Sequence, residues 1–383
     1  MSSRLDRLQR AALLLTAFLY SAGYGTVGLA LLLVTVVLEA GAARRLPWRR
    51  TPVDLGVVAF LGIFVLSGYF SEYRPTAVAS TGLAALTIYL ALGVSSSVLT
   101  RDLGVLPPLL WAWLLGTTLA AGWAIALHLR TGVPAFTPQL GQNAVGTTML
   151  IGALVGFGLY LSVPTAWRYV AAGMSAIALG ALALSYTRGA WLGAALSLAL
   201  VLAAGGRVAI RRTVVIVAVI AFTIAVLAGA ERTALVRRAL SIPDASANTD
   251  RLYLFRAAGA IALDHPVLGT GMNTFSLVYP RYRLPGDPNP AVQPYAHNIF
   301  LNIAAEGGLL ALAAFMAIVV QAFRFGWRWR AAAITEADTA LRTTLLGAFA
   351  GMMVHQLVDG TLLSVHLGAG MWMIIAILTA FHR

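Results

Sequence analysis

The chain has 383 residues, 59% of them hydrophobic and 11% charged, with a mean hydropathy of +0.82. Soluble domains carry about 25% charged residues, so this composition excludes a soluble globular protein and predicts an all-α polytopic membrane protein. The absence of cysteine excludes disulfides, thiol nucleophiles and thiolate-held metals. The Lys+Arg total of 27 is made up of arginine alone, and the net charge of +13 reads as the loop bias of an inserted protein rather than a nucleic-acid footprint.

The opening MSSRLDRLQR runs into apolar sequence with no small-residue cleavage site, so it is expected to stay in the cytoplasm rather than act as a cleavable signal. A hydrocarbon core about 30 Å thick needs about 20 apolar residues per helix. That rule predicts about twelve spans, at roughly 9–22, 24–40, 53–70, 76–99, 103–127, 143–162, 169–187, 189–205, 213–230, 298–322, 342–360 and 362–381. The first two are short and parted only by AGYG, which reads as a tight hairpin or a misplaced boundary. With the N-terminus inside, 17 arginines fall on the cytoplasmic side and ten outside, and both termini end up cytoplasmic. Seven of those ten lie in 231–297, a stretch of 67 residues, long enough to escape the charge rule. The expectation is one transmembrane domain, 1–383, with one long extracytoplasmic loop at 231–297. Within it a helix is expected at about 250–263, capped by Asn248 or Thr249, with Asp250 in the first turn and Pro266 as the stop. Arg251 and Arg256 alternate there with Leu252, Phe255 and Ile261, which predicts a helix lying on the membrane surface.

Five constellations stand out along this frame. QLGQNAVG opens an outer helix end with Asn143, which serves either as helix-end chemistry or as a substrate contact. SYTRGAWLGA places Arg188 at an outer junction against the charge rule, either snorkelling to lipid phosphates or binding an anion. Arg251 and Arg256 offer guanidinium forks suited to phosphate oxygens, the alternative being headgroup contact, and GTG at 269–271 offers backbone N–H donors. Tyr279 and Arg281, farther along the loop, are further candidates for substrate contact. Finally, PYAHNIFLNIAAEGGLLAL begins with His297 and places Asn298, Asn302 and Glu306 at 0°, 40° and 80° on one helix, a polar stripe about 12 Å long. Such a stripe must face protein or water. His355 and Asp359, one turn apart, read equally as a satisfied buried pair or a site, and Asp244, Asp250, Asp264 and Asp287 are too scattered to suggest a metal cluster.

Taken in order, these segments resemble the O-antigen ligase and polymerase superfamily of bacterial envelope glycosyltransferases (the Wzy_C type) over roughly 140–325. SYTRGAWLG looks like its Ser-x-Ser-Arg-Gly motif, with Thr187 in place of a serine. DRLYLFRAAGAIALDHPVLGTGMNTF is similar to its Arg-x-x-x-Trp…His-Pro-x-x-Gly-x-Gly…Phe block, with Phe255 for the tryptophan. YAHNIFLNIAAEGGLLAL resembles its His-Asn-x-x-Leu…Glu-x-Gly block, and GQNAVGTTML is a looser match to its Asn-Pro-Asn segment.

The resemblance implies a GT-C-like, metal-independent and cofactor-free inverting glycosyltransferase of lipopolysaccharide biosynthesis in the bacterial inner membrane, with its site facing outward. It implies an undecaprenyl-diphosphate-linked saccharide as donor and a lipid A-core or other glycan hydroxyl as acceptor. Carried over by position, Arg188 and Arg251 would hold the diphosphate and His297 would serve the acceptor. Arg256, Asn298, Glu306, Asn143, Tyr279 and Arg281 would be substrate-binding. A ligase and a polymerase share these residues. One long loop and a short 128–142 segment favour the ligase, the polymerase being the alternative. A solute transporter is the rival from another class, and a scaffold without chemistry is a further one.

Overall fold

The structure, a computed structural model, describes residues 2–43, 46–207, 209–213, 232–242, 249–287 and 293–381. The predicted span at 213–230, apart from Thr213, and the Asn248 cap lie outside the described residues. Among the described residues every regular element is helical. The first five helices are α1 (Ser2–Ser21), α2 (Gly25–Ala43), α3 (Asp54–Phe70), α4 (Arg74–Ile88) and α5 (Ser95–Arg101), the last two joined through a π-helical turn at Tyr89–Val94. Then come α6 (Leu106–Thr131), α7 (Gln142–Ser162), α8 (Trp167–Leu184) and α9 (Arg188–Ala204). Three shorter elements follow, α10 (Arg232–Leu240), α11 (Thr249–Asp264) and α12 (Phe275–Tyr282), before α13 (Ile299–Ala331), α14 (Glu336–His355) and α15 (Val365–Thr379). Among the described residues, six stretches are long and apolar enough to cross a bilayer, and α3, α9 and α15 are apolar but shorter.

The helix expected at about 250–263 is α11, but the face it buries differs from expectation. Leu254, Ala257, Ala258 and Ile261 pack with Ala296 and Ala305, while Leu252 stays exposed. Protein covers that face, because small alanines let α11 approach α13 closely.

In α9 and α14 small residues decide the packing. Gly193 and Ser197 on α9 face Gly347 and Gly351 on α14, each pair four residues apart, and the Ser197 hydroxyl donates to the Gly347 carbonyl at 2.7 Å. A Cβ on Gly193 would overlap the Gly351 backbone. Where apolar burial gives helices no preference over lipid, such small-residue seams with interhelical hydrogen bonds hold them together. The seam aligns the start of α9 with the end of α14, so Gly189 abuts the His355 ring.

A break in α13 shapes the rest. Gly308 adopts φ 70° and ψ −178° inside the helix, a region open essentially to glycine alone. The segment after α11 enters at this break. Leu309 N–H donates to the Pro266 carbonyl at 2.7 Å, Thr270 N–H to Ala305 at 3.1 Å and Gly271 N–H to Glu306 at 2.8 Å. The helix loses backbone bonds at its break and recovers partners from the loop, as apolar surroundings require. A Cβ on Gly308 would collide with the Val267 carbonyl. Gly308→Ala is therefore expected to lower the Tm of the detergent-solubilised protein by several degrees, whereas Gly62→Ala, which meets nothing within 4 Å, should leave it unchanged or raised. A fluorescence thermal-shift measurement on both variants checks this.

Candidate active site

The starts of α7, α9 and α13 and the ends of α8 and α14 gather at one end of the bundle. Gln142 Nε2 donates to the Ser185 carbonyl at 2.8 Å, Thr147 and Thr361 share a hydroxyl contact of 3.0 Å, and Ile299 N–H donates to Gln356 at 3.0 Å. Three helix N-termini thus point their positive ends toward one region.

His297 sits just before α13, in the left-handed region at φ 51°, a conformation that histidine tolerates better than most residues. Its ring lies 4.7 Å from the Tyr295 ring, and its Nδ1 lies 3.9 Å from Asp359 Oδ1. Asp359 stands in the connector after α14, wholly buried, with Oδ1 accepting from Gly360 N–H at 2.6 Å and Thr361 N–H at 3.2 Å. Its Oδ2 lies 3.8 Å from Nε2 of the buried His355. Neither Asp359 Oδ2 nor His297 Nδ1 makes a hydrogen bond of ordinary length. The Asp359 carboxylate, held by two backbone N–H groups, thus faces Nδ1 of the imidazole without a hydrogen bond between them.

Arg251, half-buried in the first turns of α11, places its guanidinium in the field of Asp359, Arg238, Tyr295 and Asp250. Burial holds its pKa below the usual guanidinium value, with Asp359 opposing that drop. Burial, and secondly the Arg251 charge, pull the His297 imidazole down to about 4. Burial and the charge of Asp359 push the Tyr295 phenol up. Near neutral pH this corner therefore presents a neutral imidazole beside a guanidinium.

Arg188 lies one layer behind. Buried at the first turn of α9, it donates from Nη1 to the Ser241 carbonyl at 2.7 Å and hydroxyl at 3.0 Å. Arg238, three residues before Ser241, donates from Nε to the Tyr186 carbonyl at 3.1 Å and also sits within the field of Arg251. The short helix α10 and Ser241 after it thus brace the Arg188 segment, and Arg238 lies near enough to Arg251 for the two like charges to repel. Among the described residues, the non-glycine positions with left-handed φ are Tyr186, Asn273 and His297, one in each of the motif segments that carry Arg188, Arg251 and His297. Strain of about 1–3 kcal/mol at such positions persists only where the surroundings over-determine it.

The other sequence-derived candidates part company here. Asn143 lies at the same end, its backbone beside His355. Asn298 caps its own helix, accepting from Phe300 and Leu301 N–H at 2.9 and 3.0 Å, and donates to Leu357. Glu306 spends its carboxylate on the backbone N–H groups of Asn273 and Phe275, both at 2.9 Å. Tyr279 is buried, its hydroxyl bonded to Asp287, and Arg281 makes an exposed bidentate ion pair with Glu72 at 2.6 Å. Arg256 is exposed, and five residues past Arg251 it points about 140° around the helix from it. The N–H groups of Gly269, Thr270 and Gly271 are already bonded to His265, Ala305 and Glu306, so the expected Gly-x-Gly donors are used up inside the protein. Asp359, Tyr295 and Arg238 join the site without having been singled out for it. The His355/Asp359 spacing at an outer helix end was the one signal available for any of them.

Against known families, residues 173–316 match the model described as O-antigen ligase. The match supports the resemblance of this part of the chain to the O-antigen ligase and polymerase superfamily. That match contains Arg188, Arg238, Arg251, Tyr295 and His297, while Asn143 and Asp359 lie beyond its ends. No curated protein matches the chain.

The electrostatics give a direct test at His297. In the intact protein, its carbethoxylation rate by diethylpyrocarbonate, followed by mass spectrometry, should be flat from pH 6 to 8 and fall by half only near pH 4. An ordinary histidine falls by half near pH 6.5.

Proposed function

We propose that the protein is an O-antigen ligase, transferring a saccharide from an undecaprenyl-diphosphate-linked donor to a lipid A-core hydroxyl at the extracytoplasmic face of the bacterial inner membrane. The observation that carries this reading is the meeting of Arg251 with the Asp359-facing His297 at one end of the bundle, with Arg238 of α10 in the field of Arg251 and bonded to the Arg188 segment. The reading keeps the twelve-span, GT-C-like arrangement with 231–297 outside and both termini inside. The family match supports the coarser statement of a membrane glycosyltransferase.

In the proposed step the acceptor oxygen attacks the anomeric carbon from the face opposite the leaving group, inverting the centre. The bond from that carbon to the diphosphate oxygen breaks, and its electron pair leaves with the diphosphate. Arg251 and Arg188 stabilise the growing negative charge, as preorganised donors do. The acceptor proton passes to Nε2 of His297, which burial keeps neutral and available. Asp359 faces Nδ1, where it orients the ring and stabilises the imidazolium that forms.

Purified protein, a lipid-diphosphate oligosaccharide and a lipid A-core acceptor, with transfer read by gel mobility and mass spectrometry, tests the reading. Arg251→Ala and His297→Ala should each lower transfer by about 10²–10³-fold while thermal stability is retained. Transfer at the wild-type rate by either variant refutes the assigned role. A ladder of products formed from donor alone would instead identify a polymerase.

A further inference from the structure

The polar stripe of α13 contains two residues that the proposed step leaves unused. Asn302 and Glu306 are 1% and 4% exposed, one turn apart inside an otherwise apolar helix. Each is fully engaged, and with different parts of the site. Asn302 Oδ1 accepts the Ala296 N–H at 2.9 Å, gripping the backbone immediately before His297. Its amide also bonds to the Glu306 side chain. Glu306 in turn accepts the N–H groups of Asn273 and Phe275, both at 2.9 Å, with Oε2 and Oε1. Its carbonyl accepts Gly271 N–H and the Ser67 hydroxyl. The segment thus gripped runs straight back to α11, whose Ala257, Ala258 and Ile261 pack with Ala305 on the same helix. Arg251 is on that helix.

We infer that Asn302 and Glu306 form a strut that sets His297 against Arg251, acting as positioning residues and not as ligands of substrate. The inference rests on the proposed reading of His297 and Arg251 as the reacting groups. Its geometry is a relay. The imidazole segment hangs from Asn302, the guanidinium segment is braced from Glu306, and the two holders share a hydrogen bond. A shift in either holder changes how deeply His297 lies and how close Arg251 stands to it. The charged and titratable groups that face His297 are Arg251 from α11, Asp359 from the connector, Tyr295 from its own segment and, behind Asp359, His355 from α14.

The test uses the full chain and two readouts, one of them independent of activity. Asn302→Ala frees the Ala296 N–H and lets water reach the imidazole, so the midpoint of His297 carbethoxylation is expected to move from about 4 toward about 6.5. At pH 5.5 the variant's modification rate should then fall about 10-fold below wild type, with the two rates converging at pH 8. The acid limb of the transfer-rate profile should move with it. Glu306→Gln turns a donor toward one of the two backbone N–H groups, and is expected to raise KM for the lipid-diphosphate donor about 10-fold at pH 8. Asn302→Ser, smaller and still polar, serves if Asn302→Ala does not fold, with the same direction expected. A role in packing alone predicts less folded protein with an unmoved midpoint, and that result overturns the strut. A change in kcat without any in donor KM for Glu306→Gln overturns its Arg251 half. Wild-type protein that transfers nothing, combined with a shifted His297 midpoint in Asn302→Ala, sinks the proposed function and upholds the strut.

Discussion

The fold around the candidate site turns on one carboxylate inside a helix. Glu306 lies in a long apolar helix, where a lone acidic group is costly, and the structure offsets this by surrounding it with backbone donors. Those donors are Asn273, in the turn between α11 and α12, and Phe275, the first residue of α12. Through them the outer segment is fastened to the membrane bundle, and the break at Gly308 opens room for it. Helix break, acid and loop therefore form one unit: remove the acid and the loop loses its acceptors, close the break and the loop loses its place.

The same logic accounts for the electrostatic contrast across the site. A guanidinium stays charged even when half-buried, so it can hold an anion at the edge of a low-dielectric region. An imidazole in the same surroundings gives up its proton. Placing Arg251 beside His297 thus fixes two opposite protonation states side by side. The buried Asp359 balances the pair without filling the space between them, since its Oδ1 already accepts two backbone N–H groups.

Much of this was legible in the sequence because it depends on periodicity and on rules of membrane insertion. Apolar run length placed most helices to within a few residues, with α11 read almost to its ends from Thr249, Asp250 and Pro266. The stripe at Asn298, Asn302 and Glu306 followed from the 100° rotation per residue. What that rotation does not carry is the partner. Nothing local tells that Glu306 faces Asn273 rather than substrate, that Arg281 pairs with Glu72 across 209 positions, or that the Gly-x-Gly amides are spent on α13. The α11 face was misread for the same reason: Leu252 and Phe255 are the larger side chains, but small alanines are what a close neighbouring helix selects. For Asp359 the sequence left a buried pair and a site equally open, because the choice depends on a loop that returns from far away in the chain.

The seam of glycines and serine between α9 and α14 has a consequence for how the protein comes into being. The guanidinium, imidazole and amide segments are all synthesised before the connector that carries Asp359, and α14 brings that connector to them only by docking against α9 through Gly193, Ser197, Gly347 and Gly351. Until the two helices zip together, the carboxylate is absent from the histidine's side. A growing chain still leaving the ribosome therefore lacks one wall of this corner, and the histidine gains its carboxylate neighbour only once α14 has docked.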